Sequence, residues 1–569
     1  MRPTLSEMGV YDGCALMEFK TKKEIVYLLN KESVCTYEMD DTPPFPINQE
    51  ALDIAIEIAL LFNCQIVDEM HIARKQYLDG SIPTGFQRTA IVGINGYIDM
   101  PAQAPSPQPF PQRGEGVIKR IRIRQLSIEE DACREVEDAG HTIHFRTDRL
   151  GMPLIEVVTE PDFETPREAA LGVKTIGRLL RATRKVRRGI GSVRQDVNVS
   201  IEGGRRVEIK GVPRYQLIGA LTQTEALRQK ALLDLRLEFL RRGLSKELFV
   251  TQEMDLTAKF GHTQSAILKN AVDRGFKIRG AKYFGIAGLL NWGTQPGKTF
   301  ANELSGRVRV ISCLDSIPNL FHTDHYPDYT GSHIDFNHIR NALEIGDKDV
   351  AVIVWGPEAD TITATNEIRD RILEVFDGVP HETRQHLRGG LTDFERILPG
   401  ADRMYPDTDH PPLKIESSRI ICAAARLPER TQEVEARFRS FGLPEDTIEY
   451  LALSPYKTTV DVLAKNGADM KLAGRLLGQV LPSLSRRVHH ISKIPQHIWQ
   501  ELILACQSLG VHRKHLNEIV LEIVNNSGQD IFSVVGRYVV SPSFNNPPCD
   551  KHRPDKYNRG PRKTGNRCA

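Results

Sequence analysis

Apolar positions recur with two different periods along this chain, and the change of period divides it. In roughly the first 260 residues, short alternating runs mix with two amphipathic helices. Asn48 is placed to cap a helix over Ala51–Phe62. Thr165-Pro166-Arg167-Glu168 has the form of a capping box with proline in the first turn, predicting a helix that runs to about Thr183. Ile118–Ile128, Leu154–Thr159, Val193–Ile201 and Arg206–Lys210 have β character. Strands and helices interleave irregularly, so the predicted fold class is α+β, in several domains. From about Gly261 to Gly390 a further α/β region contains Val308–Ile311, Asp349–Trp355 and an amphipathic helix around Thr363–Phe376. Beyond Ser417 the helical period dominates, with helices expected over Thr431–Ser440, Asp446–Leu453, Asp469–Leu481, Trp499–Ser508 and Lys514–Asn525.

Composition narrows the classes. A chain of 569 residues is too long for one core. Lys and Arg number 75 against 73 Asp and Glu, so the chain is not globally basic, and any nucleic-acid contact must come from local patches. No apolar run approaches the roughly 18 residues needed to span a bilayer, and the opening MRPTLSEMG has no apolar signal core. Nine cysteines, never spaced CxxC, argue against a disulfide framework or a structural zinc site. The expectation is a soluble cytoplasmic protein. Residues 104–116, rich in Pro and Gln, are expected to form a protruding loop, and the tail from Ser541 to be disordered.

Three constellations carry candidate chemistry. Leu126 and Ile128 share one face of a strand, which sends Ser127 and Glu129 to the other. Glu156 lies in an apolar run, Leu154–Val158, and a buried carboxylate there needs a cation: a metal, or an arginine such as Arg146 or Arg149. In Val193–Glu202 and Arg206–Lys210 the even positions are polar. A three-residue loop would pair Ser200 with Glu208 and Asn198 with Lys210, making one charged face that includes Asp196. Arg178–Arg188 carries six basic residues in eleven. The helix dipole accounts for one or two of them, and phosphate binding is a plausible use for the rest. Two patterns are decoys. Gly293–Thr299 has three residues between its glycines where a phosphate-binding loop needs four, and His322, His325 and His333 lack metal-ligand spacing.

The order of RPTLSEMG, RKQYLDGSIPTGFQRT, LSIEEDA, DRLGMPLIEVVTEPDF, GSVRQDVNVSI, VEIKGV and GADRMYPDTDHPPL resembles the GatB/GatE family, the kinase and transamidase subunits of tRNA-dependent amidotransferases. The resemblance implies an antiparallel cradle over residues 1–260 closed by 396–416. An inserted module like that of aspartyl-tRNA synthetases, 261–395, marks the archaeal-type branch. A helical domain (417–490) and a partial YqeY-like domain (491–540) would follow. It further implies ATP-dependent phosphorylation of glutamyl-tRNA(Gln) and amidation with ammonia from an asparaginase-like partner, GatD, in an assembly with two copies of both proteins. ATP and Mg²⁺ would be required. By motif match Glu129 and Glu156 are the expected metal-binding, catalytic carboxylates, and Arg74, Lys75, Asp196, Glu208 and Lys210 the lining of the same cradle. The family pattern begins with a GLEIHxQL-like strand that this chain does not contain, so a truncated, non-catalytic tRNA-binding relative is the alternative expectation.

Overall fold

The computed structural model describes residues 21–101, 118–189, 191–325, 333–398, 403–526 and 528–539. The expected loop at 104–116 and the tail from Ser541 lie outside these. The chain divides into two units, Met1–Glu429 and Arg430–Ala569.

In the first unit, β1 (Glu24–Leu28) precedes α1 (Gln49–Leu61). Asn48 caps α1 as expected, its side chain accepting the Ala51 N–H at 2.9 Å. Three long-range strands follow: β2 (Ile72–Gln76), β3 (Phe86–Pro101) and β4 (Ile118–Glu130). Next come the hairpin β5 (Arg134–Ala139) and β6 (Thr142–Arg146), then β7 (Pro153–Thr159) and α2 (Pro166–Ala182). Thr165 caps α2 by accepting the Glu168 N–H at 3.1 Å. The Glu168 carboxylate closes the box one residue early, on the N–H of Glu164. The hairpin β8 (Gln195–Val199) and β9 (Val207–Val212) leads into α3 (Ile218–Arg241).

α3 has 24 residues, yet the hydrophobic pattern does not announce it. Its buried face includes Glu225, Arg228 and Gln229 beside Leu221, Leu232 and Phe239, so charge interrupts the apolar stripe.

The chain then makes β10 (Thr251–Asp255), β11 (Lys277–Tyr283), α4 (Phe300–Ile311), β12 (Leu320–His322), β13 (Val350–Gly356) and α5 (Glu358–Leu373). It returns as β14 (Glu382–His386) and β15 (Thr392–Ile397), followed by β16 (Met404–Pro406). Val308–Ile311, counted above with an α/β region, is the last turn of α4, with Val308 and Ile311 buried at helical spacing.

Three of its sheets have four strands or more and organise the unit. One runs β16–β2–β3–β4–β7, every pairing antiparallel. α1 covers one of its faces, packing Leu52, Ile56 and Ala59 in one core with Ala90, Val92 and Ile128. The second is β8–β9–β14–β15, in which β9 and β14 are parallel although more than 160 residues separate them. The third is β10–β11–β13–β12. All seven residues of β13 are buried, Val350, Val352 and Val354 in one core and Ala351, Ile353 and Trp355 in another, which explains its unbroken apolar run. The mixture of sheets and helices agrees with the α+β expectation.

The second unit is helical around one core that includes Phe438, Leu451, Leu476, Trp499 and Val520. Thr431–Ser440 is a helix over the expected span; the others begin at Glu445, Gln496 and Leu516, within three residues of expectation. Met470–Arg475 continues through a π turn, Leu476–Val480, into Leu481–Ser485.

Candidate active site

Strand register decides which side chains meet. Residues directly opposed in an antiparallel pair project from the same face, as do residues two apart on one strand. Ser127 opposes Glu156 across β4 and β7, and Glu129 opposes Thr89 across β4 and β3. Glu129 and Glu156 are therefore diagonal neighbours on one face, a separation of about 7–8 Å between backbones. Lys75 on β2 opposes Gln87, two residues before Thr89, and joins the same face.

Glu156 departs from expectation in one respect: its side chain is exposed rather than buried. Neither proposed arginine serves it. Arg149 pairs with Asp131 at 3.0 Å and Arg146 is exposed on β6. Enclosure by the surrounding protein, then the charge of Glu129, pushes the Glu156 carboxyl up to about 7; Asp196 and Glu208 add to the rise and Lys75 opposes it. Burial alone would lower the Lys75 ammonium, yet Tyr77, Glu129 and Glu156 together hold it above its ordinary value.

The β8–β9 hairpin supplies the remaining acids. Asn198 opposes Glu208, two residues away from the expected register of Ser200 with Glu208. The reason is a turn closed by the Gly204 N–H on the Ile201 carbonyl at 2.9 Å. A shift of two preserves facing, so Val199, Val207 and Ile209 stay buried and Asn198, Glu208 and Lys210 share the polar side. Lys210 lies 3.9 Å from Glu208. At a bulge, Asp196 accepts the Gly211 N–H at 2.8 Å, where φ is +61° and glycine is favoured. Four carboxylates and two lysines thus face one another.

Arg74 does not join them. Adjacent residues of a strand point oppositely, and Arg74 projects from the far face, where it binds Asp407 at 2.8 Å, also contacts Asp409, and lies 4.2 Å from the Phe86 ring centroid. Arg88 pairs with Glu130 on that side. Asp407 and Asp409 were missed because 333 and 335 positions separate them from Arg74. A cavity of about 250 Å³ at the same end of the sheet is lined by Tyr37, Phe45, Arg88, Ile128 and Glu130.

Among the described residues no three acidic, histidine or cysteine side chains already stand at metal-binding spacing. The donor set nonetheless suits a hard divalent cation: oxygen ligands only, in excess over neighbouring cations, with one carboxyl destabilised by the crowding. Lys298 donates to the Thr392 carbonyl at 3.3 Å, and burial pushes His322 down to about 4. The His333 side chain lies outside the described set.

A family model described as the GatB/GatE catalytic domain matches residues 18–421. The E-type subunit of the glutamyl-tRNA(Gln) amidotransferase of Saccharolobus solfataricus is 35% identical over 549 residues, covering 95% of this chain and 83% of that protein. The protein of the same name from Methanocaldococcus jannaschii is 35% identical over 543 residues, 94% of this chain and 83% of the relative. No helix among the described residues is long and apolar enough to cross a membrane.

Proposed function

This chain belongs to the GatB/GatE family, and from that premise we propose how it works as part of an amidotransferase. It phosphorylates the glutamyl side chain of misacylated glutamyl-tRNA(Gln) with ATP and amidates it with ammonia to glutaminyl-tRNA(Gln). One observation carries the site assignment: Glu129 and Glu156 share a sheet face with Lys75, and Asp196 and Glu208 act on Glu156 from the neighbouring hairpin.

The chemistry needs such a place. A carboxylate is a poor electrophile, so its oxygen first attacks the terminal phosphorus of ATP and ADP leaves. Ammonia then adds to the acyl carbon, phosphate departs, and the nitrogen gives up a proton. Glu129 and Glu156 would hold Mg²⁺, which when bound would supply positive charge to offset that of the phosphoryl group. Lys75 supplies a fixed positive charge on the same face, where a transferring phosphoryl oxygen gains from it. Asp196, Glu208 and Lys210 line the opposite wall. Arg74 has an architectural part, tying β2 to the closing segment through Asp407 and Asp409.

The cradle comprises residues 1–260 with 396–416, the inserted module 261–395 is of the aspartyl-tRNA synthetase kind, and residues 417–490 and 491–540 form helical and partial YqeY-like domains. Ammonia comes from an asparaginase-like partner of the GatD type, in a cytoplasmic assembly of two copies of both proteins. Retention of both glutamates and Lys75 on one face, with the length of the likeness, weighs against a non-catalytic relative. The test is incubation of the complete enzyme with glutamyl-tRNA(Gln), ATP and ammonium. Glutaminyl-tRNA with ADP and phosphate supports the proposal; AMP and pyrophosphate, or tRNA binding without ATP turnover, refutes it.

A further inference from the structure

The wall that acts on Glu156 stands at the margin of its sheet. In β8–β9–β14–β15, β8 has a neighbour on one side only, and its ladder to β9 is interrupted by the bulge at Asp196. Such an edge opens locally unless something outside the hairpin holds it. Gln229, in the middle of α3, is placed to do so. It is fully buried and takes no part in the chemistry above. Its amide oxygen accepts the Ile201 N–H at 3.2 Å. Its amide nitrogen donates to the Val199 carbonyl at 3.0 Å and to the Glu225 carboxylate at 3.2 Å. Both N–H donors are therefore engaged, and reversing the amide would set oxygen against oxygen at two of the three contacts.

An interior glutamine is ordinarily no more than a satisfied polar group. Two features separate Gln229 from that reading. Its backbone partners belong to the hairpin: Val199 follows Asn198, which opposes Glu208, and Ile201 begins the turn. The turn is also shaped to admit it. A Cβ on Gly204 would lie 2.5 Å from the Gln229 amide oxygen, and the φ of Gly204 is not in the left-handed region, so the approach of Gln229 rather than the backbone calls for glycine there. On its other side Glu225 is bound by Arg228, which also reaches Glu303 on α4 and Glu382 on β14. The end of β8 is thus tied to the buried charges of the interior. We propose that Gln229 is a positioning residue, which clamps Val199 and Ile201 and so holds Asp196, Glu208 and Lys210 in place opposite Glu129 and Glu156. The inference rests on the function proposed above and goes beyond it.

The test compares the complete wild-type enzyme with Gln229→Leu, Gly204→Ala and Leu235→Ala. Gly204→Ala displaces the same side chain from the hairpin side, so the comparison stands even where Gln229→Leu fails to fold. Leu235, a fully buried residue further along α3, controls for simple loss of stability. In both hairpin variants the kcat for tRNA-dependent ADP formation should fall roughly tenfold, with the KM for ATP and for glutamyl-tRNA within about twofold. Amide exchange at Ile201 and at Gly211, whose N–H is held by Asp196, should be about tenfold faster. Leu235→Ala should melt earlier yet keep kcat and the exchange of those two amides. Full kcat in both hairpin variants, a loss of kcat without faster exchange, or an equal loss of kcat in Leu235→Ala would each overturn the proposal. A wild-type enzyme that forms no ADP refutes the function instead, while the exchange rates still report on the clamp.

Discussion

In the interior between α3, α4 and β14, three arginines pair with four glutamates; on the open face of β4, β7 and the β8–β9 hairpin, four carboxylates share two lysines. The interior set is Arg228, Arg307 and Arg384 with Glu225, Glu303, Glu374 and Glu382, and Arg371 lies beside it with no hydrogen-bond partner among the described residues. Arg228 binds Glu303 through two nitrogens at 3.0 and 2.6 Å and also reaches Glu225 and Glu382. Burial opposes ionisation of Glu303, but Arg228 and Arg384 hold it well below the usual carboxylate range. Glu225 shows the limit of compensation: burial outweighs its arginines and raises it. Arg371 lies 5.0 Å from the Phe300 ring centroid, and burial draws it down to about 10. On the open face the balance is missing, and Glu156 rises to about 7. The interior charges are largely compensated within the fold, whereas those of the open face stand in surplus.

Substitution should separate the two regions sharply. Arg228→Met leaves three buried glutamates short of a partner and should cost about 3–5 kcal/mol in urea unfolding. A loss under about 1 kcal/mol would mean the interior network tolerates surplus as the open face does. Mg²⁺ at about a hundred times its Kd should stabilise the wild-type protein by about 2.7 kcal/mol. Glu156→Gln should lose most of that gain, and an equal gain in the variant would place the cation elsewhere. Arg74→Ala, which frees the closing segment from β2, should cost about 1–3 kcal/mol. Smallest is the pH effect. The folded pKa of Glu156 is raised, so its protonated form favours the native state. Stability from this group is full below about 4.5 and is lost as pH rises to about 7. Without metal, Glu156→Gln should therefore flatten the decline of melting temperature over that window; an unchanged slope would show that the crowding is not felt.

Much of the candidate site's facing was legible because period two is a local rule. The alternation around Glu129 placed Ser127 and Glu129 together, and the alternation of Asn198, Ser200 and Glu208 predicted one polar face; the two-residue error in register left that facing intact. Glu156 read as buried because apolar neighbours in sequence do not reveal that its face of the strand is open. Arg74 and Lys75 share a motif, although adjacency on a strand sends them to opposite faces. α3 was hidden for the reason its interior is unusual: Glu225 and Arg228 occupy core positions where the helical period calls for apolar residues. The partners of Arg228 lie 75 and 154 positions further on, at Glu303 and Glu382, beyond any local pattern.

Phosphorylation by the Glu156→Gln variant tests the central claim most directly. Radiolabelled ATP, glutamyl-tRNA(Gln) and Mg²⁺, without ammonia, would be followed for tRNA-dependent ADP formation, with tRNA affinity measured on the same sample. The account predicts loss of ADP formation with tRNA affinity held within a few fold. Wild-type turnover in that variant would contradict it.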